Sequence, residues 1–214
     1  MAELIVLENK QVFSYSLDAH AAWFLGRSAA DRRENEICLV SGIVSREHGQ
    51  LRNIEGQWFY VDNPGNKNGT FRNGVRIPRP LTGIRQPVFL ENGDILQVRG
   101  PAHNDLDVTM LFVTAFIPGE WMRFMLNDRN ITIGSGKHCE LIIQGFSLEE
   151  RIAKLANING QYFLSSCGQT AVFLNGRPIT ASTLLQSGDA IGLKDCHMFF
   201  LGTELIYSRI RKKL

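Results

Sequence analysis

Short apolar runs recur along the chain at intervals of about ten residues, and turn-forming residues separate them. The clearest runs are residues 4–7, 57–61, 95–98 and 108–116. Pairs such as Asn73-Gly74 between the runs favour tight turns, and no segment keeps a helical period. Many short strands with Gly and Asn turns are typical of an antiparallel β-sandwich. The pattern therefore predicts an all-β protein with little helix.

The turn signals occur twice in the same order, which indicates an internal repeat. The matched signals are Gly26 with Gly134, Asn73-Gly74 with Asn175-Gly176, and Gly93-Asp94 with Gly188-Asp189. Between the copies, Pro118 and Gly119 end one apolar run before the next begins. We therefore predict two tandem domains of related fold, at residues 1–118 and 119–208, followed by a basic tail at 209–214.

The composition fits a folded, soluble chain, with 44% hydrophobic and 21% charged residues. The first six residues lack the features of a secretory signal, and no run approaches the roughly 18 apolar residues of a membrane span. The four cysteines are far apart and form no C-x-x-C pair, which suits buried thiols in a reducing compartment. We expect a cytoplasmic location.

The net charge of +2 is unevenly distributed, because the last six residues include four cations. These are Arg209, Arg211, Lys212 and Lys213. The rest of the chain is slightly negative and has no cluster of Lys and Arg, so nucleic-acid binding is not expected. The basic tail has three interpretations: a solvated terminus, a contact with anionic lipid, or the flank of a membrane span that would follow it.

Three predicted loops carry side chains suited to an anion. They provide three cations, a hydroxyl and an amide, namely Arg27, Arg46, Lys67, Ser45 and Asn68. A phosphate ester has about −1.5 to −2 charges and three acceptor oxygens, so it requires several charge-assisted donors. If the sandwich brings the loops to one end, these residues form a site for a phosphorylated peptide, with Asn68 holding the peptide backbone.

Catalysis and metal binding are less consistent with the sequence. Ser45 and His48 could be read as a nucleophile pair, but there is no Gly-x-Ser-x-Gly turn and no third group to orient the histidine. The other histidines have no partner at metal-ligand spacing: His20, His103, His138 and His197. We therefore expect neither an enzyme nor a metal or other cofactor.

The three loops together resemble the forkhead-associated (FHA) family. Its pattern of Gly-Arg, Ser-x-x-His, Asn-Gly-Thr, Asn-Gly and Gly-Asp occurs in order between Gly26 and Asp94. The resemblance implies an eleven-stranded β-sandwich that reads phosphothreonine, with phosphate contacts from Arg27, Ser45 and Arg46. It places Lys67 and Asn68 on the neighbouring ligand loop, which is one residue longer here than is usual. It also assigns structural support of the site to Gly26, His48, Gly69, Thr70 and Asn73.

The second copy keeps the turns of this pattern but not its site residues. Ser135 follows Gly134 where Arg would be expected, and Ser-x-x-His is missing. Glu149 and Glu150 stand near the expected anion position, where carboxylates repel a phosphate. We predict a degenerate FHA-like domain with a structural or protein-contact role.

An intact domain, a degenerate domain and a basic tail in this order also resemble the N-terminal cytosolic region of EssC-type FtsK/SpoIIIE ATPases of type VII secretion. That resemblance implies membrane proximity and partners among other secretion subunits. The sequence thus predicts a phosphothreonine-peptide adaptor. The alternative is a phosphorylation-independent structural interaction module of a secretion machine.

Overall fold

The structure, a computed structural model, describes residues 2–27, 34–78, 86–100, 107–114, 116–118, 121–143, 149–194 and 196–212. The secondary structure in these ranges consists of strands and turns without helix. Within them no helical segment is long and apolar enough to cross a membrane. The prediction of an all-β chain built from two tandem sandwiches is confirmed.

The chain divides into two compact units, Met1–Ile117 and Pro118–Lys212, which we call the first and second domain. The strands of the first domain are β1 Ala2–Glu8, β2 Gln11–Ser16, β3 Ala22–Arg27, β4 Glu36–Leu39, β5 Gly49–Ile54, β6 Gln57–Asp62, β7 Phe71–Arg72, β8 Val75–Arg76, β9 Pro87–Phe89, β10 Ile95–Val98 and β11 Val108–Thr114. A short strand, β12 Phe116–Pro118, lies at the division.

The first domain has two sheets, in the orders β2-β1-β11-β10-β7-β8 and β4-β3-β5-β6-β9. Neighbouring strands are antiparallel except β3 and β4, which pair in parallel. Alternation along the strands points one set of side chains inward, as in β6, where Trp58 and Tyr60 are buried and Gln57 is exposed. The inward side chains of both sheets form one apolar core.

The second domain contains β13 Met122–Met125, β14 Ile131–Gly134, β15 Leu141–Ile142, β16 Ala153–Ile158, β17 Gln161–Ser166, β18 Val172–Leu174, β19 Arg177–Pro178, β20 Thr183–Leu184, β21 Asp189–Leu193, β22 Cys196–Phe200 and β23 Glu204–Lys212. One sheet has the order β15-β14-β16-β17-β20. In the other, β23-β22-β21-β18-β19 are neighbours and β13 also pairs with β23. A separate apolar core fills this domain.

Matched backbone hydrogen bonds show that the two domains repeat one framework. His48 N donates to Leu25 O at 2.8 Å, and Ile152 N donates to Ile133 O at 2.8 Å. The Asn-Gly turns repeat as well, since both turn asparagines donate through Nδ2 at 2.7 Å to an aspartate, Asn73 to Asp94 and Asn175 to Asp189. Each turn asparagine has a positive φ, as the sequence predicts for Asn-Gly turns.

The order of strands differs between the domains at one place. In the first domain β1 lies between β2 and β11, whereas in the second domain the last strand, β23, lies between β13 and β22. The second domain therefore completes its sheet with its C-terminal strand. Because β23 continues to Lys212, the backbone of three of the four basic residues belongs to this sheet, and Lys213 lies outside the described residues.

The cysteines are all free, but they do not share one environment. Cys139 and Cys196 are buried and Cys38 is half-buried. Cys167 is exposed, so the expectation of buried thiols is wrong at this position. Cys167 directly follows β17 and precedes the turn before β18, where side chains reach the surface.

Candidate functional site

Three segments of the first domain meet at an open cleft of about 600 Å³. They are the end of β3, the loop between β4 and β5, and the loop between β6 and β7. All five residues predicted to contact the phosphopeptide line this cleft: Arg27, Ser45, Arg46, Lys67 and Asn68. Residues far apart in sequence thus come together at one end of the sandwich.

A glycine allows the first two segments to lie close together. A Cβ atom at Gly26 would lie 1.9 Å from the carbonyl oxygen of Arg46, so any larger residue would push the loop away. The next residue connects the two segments by a backbone hydrogen bond, in which Arg27 N donates to Ser45 O at 2.9 Å. This backbone packing fixes Arg27 beside Ser45 and Arg46.

His48 fixes the loop that carries Ser45, and it does so from the buried side of that loop. Its side chain is fully buried, and Nδ1 accepts a hydrogen bond from Ser45 N at 3.2 Å. Since Nδ1 is the acceptor, the ring proton belongs on Nε2, which lies 3.2 Å from Thr70 Oγ1. Burial lowers the pKa of His48, although the charge of Asp62 and a hydrogen bond to Gly69 partly oppose the shift. A neutral His48 therefore ties the Ser45 loop to Thr70.

A buried polar network continues from Thr70 and supports the second loop. Asp62 Oδ1 accepts hydrogen bonds from Thr70 Oγ1 at 2.8 Å, Asn66 Nδ2 at 2.8 Å and Tyr60 Oη at 3.0 Å. Burial and the nearby Asp62 charge raise the pKa of Tyr60 well above its ordinary value. Asn66 Nδ2 also donates to His48 O at 3.1 Å. The network connects both loops through one set of buried groups.

Our sequence interpretation missed Tyr60, Asp62 and Asn66 as parts of this support. One signal could have shown the role of Asp62. It lies two and four residues after the buried Tyr60 and Trp58, and thus on the inward face of β6. A carboxylate at such a position needs several polar partners.

The loop between β6 and β7 contacts the Ser45 loop directly. Lys67 N donates to Ser45 Oγ at 3.2 Å, and Asn68 Nδ2 donates to Ile43 O at 2.7 Å. Arg76 holds the same loop from the other side, because its Nη2 donates to Asn68 O at 2.8 Å. Because Ser45 Oγ accepts the Lys67 amide, the hydroxyl proton of Ser45 can be donated to a ligand.

The cleft is rich in positive charge. Arg27, Arg46 and Lys67 are exposed, and Glu47 is the only acidic residue among the described residues that line the cleft. In the part of the chain that the structure describes, the guanidinium groups of Arg27 and Arg46 have no hydrogen-bond or ion-pair partner in the protein. Such groups can bind an anion without first breaking an ion pair to another described residue.

The remaining predicted supports lie next to the cleft. Gly69 has a φ of 74°, and a Cβ there would lie 3.1 Å from Arg76 Nη2. Asn73 forms the turn between β7 and β8, and its Oδ1 accepts from Ile95 N at 2.8 Å. Asn73 therefore shapes the hairpin after the ligand loop and does not line the cleft.

In the second domain, the hydrogen-bond donors at the matching place are occupied by a side chain of the protein itself, although a cleft of about 760 Å³ lies beside Ser135 and Glu150. Ser135 N donates to Glu149 O at 3.0 Å, as Arg27 N does to Ser45 O, so Glu149 stands where the first domain has Ser45. The Glu149 carboxylate accepts from the backbone amides of Gln169 and Thr170, at distances between 2.9 and 3.1 Å, and from Thr170 Oγ1 at 3.0 Å. An internal anion thus uses the donors of the loop that corresponds to Lys67 and Asn68.

No group of three metal-ligating side chains lies together among the described residues. His103, which the sequence analysis did not expect to be a metal ligand, lies outside those residues.

Comparison with solved structures finds proteins of low sequence identity. Yeast Pml1p is 24% identical with a TM-score of 0.43, covering 53% of this chain and 81% of that one. The N-terminal FHA domain of EssC, a component of the bacterial type VII secretion apparatus, is 13% identical with a TM-score of 0.40, covering 100% and 96%. The N-terminal FHA domain of S. cerevisiae Rad53p, in complex with a phosphothreonine peptide, is 18% identical with a TM-score of 0.38, covering 52% and 92%.

A search of curated proteins finds no match to this chain. The model of one protein family matches twice, under the description FHA domain, at residues 23–99 and 131–194. The two matches together cover more than half of the sequence and fall one in each domain. The chain belongs to the FHA domain family.

Proposed function

We propose that the first domain binds a phosphothreonine-containing segment of a partner protein and that the chain acts as an adaptor. FHA domains are interaction modules, known for binding phosphothreonine peptides, and are not enzymes. The observation that carries the proposal is the cleft in which Arg27, Arg46 and Ser45 meet, with both guanidinium groups unpaired among the described residues. These groups supply the charge-assisted donors that a phosphate ester requires.

In this proposal each contact residue has a distinct part. Arg27 and Arg46 bind phosphate oxygens through their guanidinium groups, and Ser45 donates its hydroxyl proton. Lys67 adds a mobile positive charge at the rim. The side chain of Asn68 is held at Ile43 O, so its Oδ1 accepts from a backbone amide of the peptide.

A phosphopeptide library tests this proposal without knowledge of the natural partner. The intact chain is screened against degenerate peptides centred on phosphothreonine, and the best sequence is titrated in its phosphorylated and unphosphorylated forms. Binding only of the phosphorylated form is expected. Equal binding of the two forms would instead favour a phosphorylation-independent interaction module.

For the second domain we favour the alternative, a phosphorylation-independent interaction module. Because Glu149 already binds the amides of Gln169 and Thr170, we assign no phosphopeptide to this domain. A structural or protein-contact role fits a domain that keeps the framework and fills the site with its own carboxylate.

We further infer that the chain works at the cytosolic face of a membrane, as the N-terminal part of an EssC-type secretion ATPase. The order of an intact site, a degenerate site and a basic segment at residues 209–213 supports this interpretation. The full coding sequence tests it: two hydrophobic spans and P-loop motifs should follow Leu214. A stop codon at that point would exclude the secretion ATPase and leave the adaptor proposal intact.

A further inference from the structure

A buried carboxylate outside the cleft holds the loop that carries Ser45 and Arg46. Glu8, the last residue of β1, is only 4% exposed. Its Oε1 accepts from Val40 N at 2.9 Å and from Ser41 N at 2.8 Å, and its Oε2 accepts from Val40 N at 3.1 Å. One side chain of the first sheet thus satisfies two successive amides that follow β4.

These two amides begin the recognition loop, which we define as residues 40–48. Beyond Ser41 the chain turns, because Val44 N donates to Ser41 O at 3.1 Å. The turn presents Ile43 O to the amide of Asn68 and leads directly into Ser45. The other end of the loop is fixed by His48, so Glu8 and His48 hold the two ends.

Stability alone does not account for a carboxylate at this position. Burying a charge is costly unless hydrogen bonds compensate it, and the donors that compensate Glu8 are the two amides at the start of the recognition loop. The second domain offers a comparison, since β23 occupies the place of β1 in its sheet. Counting along the matched strands puts Arg209 where β1 has Glu8, and in that domain the Glu149 carboxylate occupies the amides of the loop that corresponds to Lys67 and Asn68. The shared framework therefore does not require a carboxylate there.

We infer that Glu8 is a positioning residue for the phosphothreonine site, which it serves by fixing the backbone at Val40 and Ser41. This inference rests on the proposed function of the first domain. Glu8 touches no ligand, and its effect reaches the phosphate through Ser45 and through the Ile43 contact with Asn68. The loop is thereby held in its binding conformation before the peptide arrives, which lowers the ordering cost of binding.

The test is a double-mutant cycle in the full chain, measured by titration with the phosphothreonine peptide selected from the library. Glu8→Gln should weaken binding by roughly three- to tenfold, because the carboxamide offers one acceptor oxygen where the carboxylate offers two. In a Ser45→Ala background the same substitution should have a clearly smaller effect. Glu3→Gln is the matched control, because Glu3 lies on the same strand and bonds the exposed Ser14.

Hydrogen exchange gives a readout that does not depend on the ligand. The amides of Val40 and Ser41 should exchange faster in Glu8→Gln, whereas those of β5 and β6 should not change. If Glu8→Gln does not fold, Glu8→Asp keeps the charge with a shorter reach and should show the same faster exchange and a smaller loss of affinity.

Three results would overturn the inference: unchanged affinity in Glu8→Gln, an equal loss in Glu3→Gln, or fully additive effects with Ser45→Ala. Failure of the unsubstituted chain to prefer the phosphorylated peptide is a different result. It would overturn the proposed function itself, whereas unchanged affinity of Glu8→Gln in a chain that does prefer the phosphopeptide overturns only the role of Glu8.

Discussion

Arg27 and Arg46 belong to neighbouring segments of the first domain and face the same cleft. The approach of those segments depends on Gly26, where a Cβ atom would collide with the Arg46 carbonyl. A guanidinium without an internal carboxylate partner among the described residues offers its full charge to a ligand. The phosphate affinity proposed for the cleft therefore depends on a few named side chains.

Arg27→Ala should weaken phosphopeptide binding by about tenfold or more, because a hydrogen bond to a charged group contributes about 1.5 to 3 kcal/mol. Titration calorimetry of the full chain measures the change. Arg52→Ala is the matched control, since Arg52 is exposed, bonds Gln50 and does not line the cleft. An equal loss in both variants, or none in Arg27→Ala, would rule out the assigned role.

His48 connects pH to the stability of the first domain. Its pKa in the folded chain is lowered, mainly by burial, below the ordinary value near 6.5. Folding therefore favours the neutral form, and the unfolded chain binds more protons in the interval between the two pKa values. The stability that neutral His48 contributes is complete above pH 6.5 and is lost as the pH falls towards the folded pKa.

The first domain should become less stable between pH 7 and pH 5, as measured by hydrogen exchange of β5 and β6. In His48→Gln this part of the pH dependence should be reduced, because the substituted side chain does not titrate. Stability is the better quantity to measure here, since the phosphate of a peptide also titrates near pH 6. The same pH dependence in both proteins would exclude His48 as its source.

The strands and turns illustrate what the sequence pattern can and cannot predict. Alternation along β6 and the Asn-Gly pair at Asn73 follow from local chemistry, so both are predicted from the sequence. Strand β23, which takes the place of β1, is different, because strand pairing across most of a domain leaves no local pattern. The role of Glu8 cannot be predicted from a local pattern for the same reason, since its hydrogen-bond partners lie more than 30 residues away in the sequence.

The candidate site likewise contains some residues that the sequence predicts and others that it does not. Its lining residues are predicted because a family pattern marks them, and the structure places all five around one cleft. The supports below them, Tyr60, Asp62 and Asn66, form contacts that depend on two loops folding over β6. The inward position of Asp62 on β6 can be read from the sequence, but only the three-dimensional packing of those loops identifies its partners Tyr60 and Asn66.

In the second domain, the loop around Gln169 and Thr170 depends on a single carboxylate. Glu149→Ala should destabilise this domain by about 1 kcal/mol, because two backbone amides and a hydroxyl lose their acceptor but are partly reached by water. Hydrogen exchange of residues 168–171 should increase. Glu150→Ala, the adjacent exposed glutamate, serves as the control. Unchanged exchange in Glu149→Ala would contradict the structural role of this carboxylate.

At the scale of the whole molecule, the two domains share a framework. They differ in the side chains at the cleft of the first domain and at the equivalent place in the second. The first has a cleft lined by cations, and the second places its own Glu149 against the matching loop. Duplication in which only the first domain keeps the predicted phosphate-binding residues predicts a single phosphopeptide for each chain. The second domain is then available for a contact of another kind with the proteins around it.

The central claim is tested most directly by titrating the full chain with the selected peptide in its phosphothreonine and threonine forms. We expect one phosphopeptide to bind per chain and the threonine form to show no measurable binding at the same concentrations. Arg27→Ala should weaken binding of the phosphopeptide by about tenfold or more without altering hydrogen exchange in β5 and β6. Equal affinity for the two peptides, or two phosphopeptides bound per chain, would contradict the account.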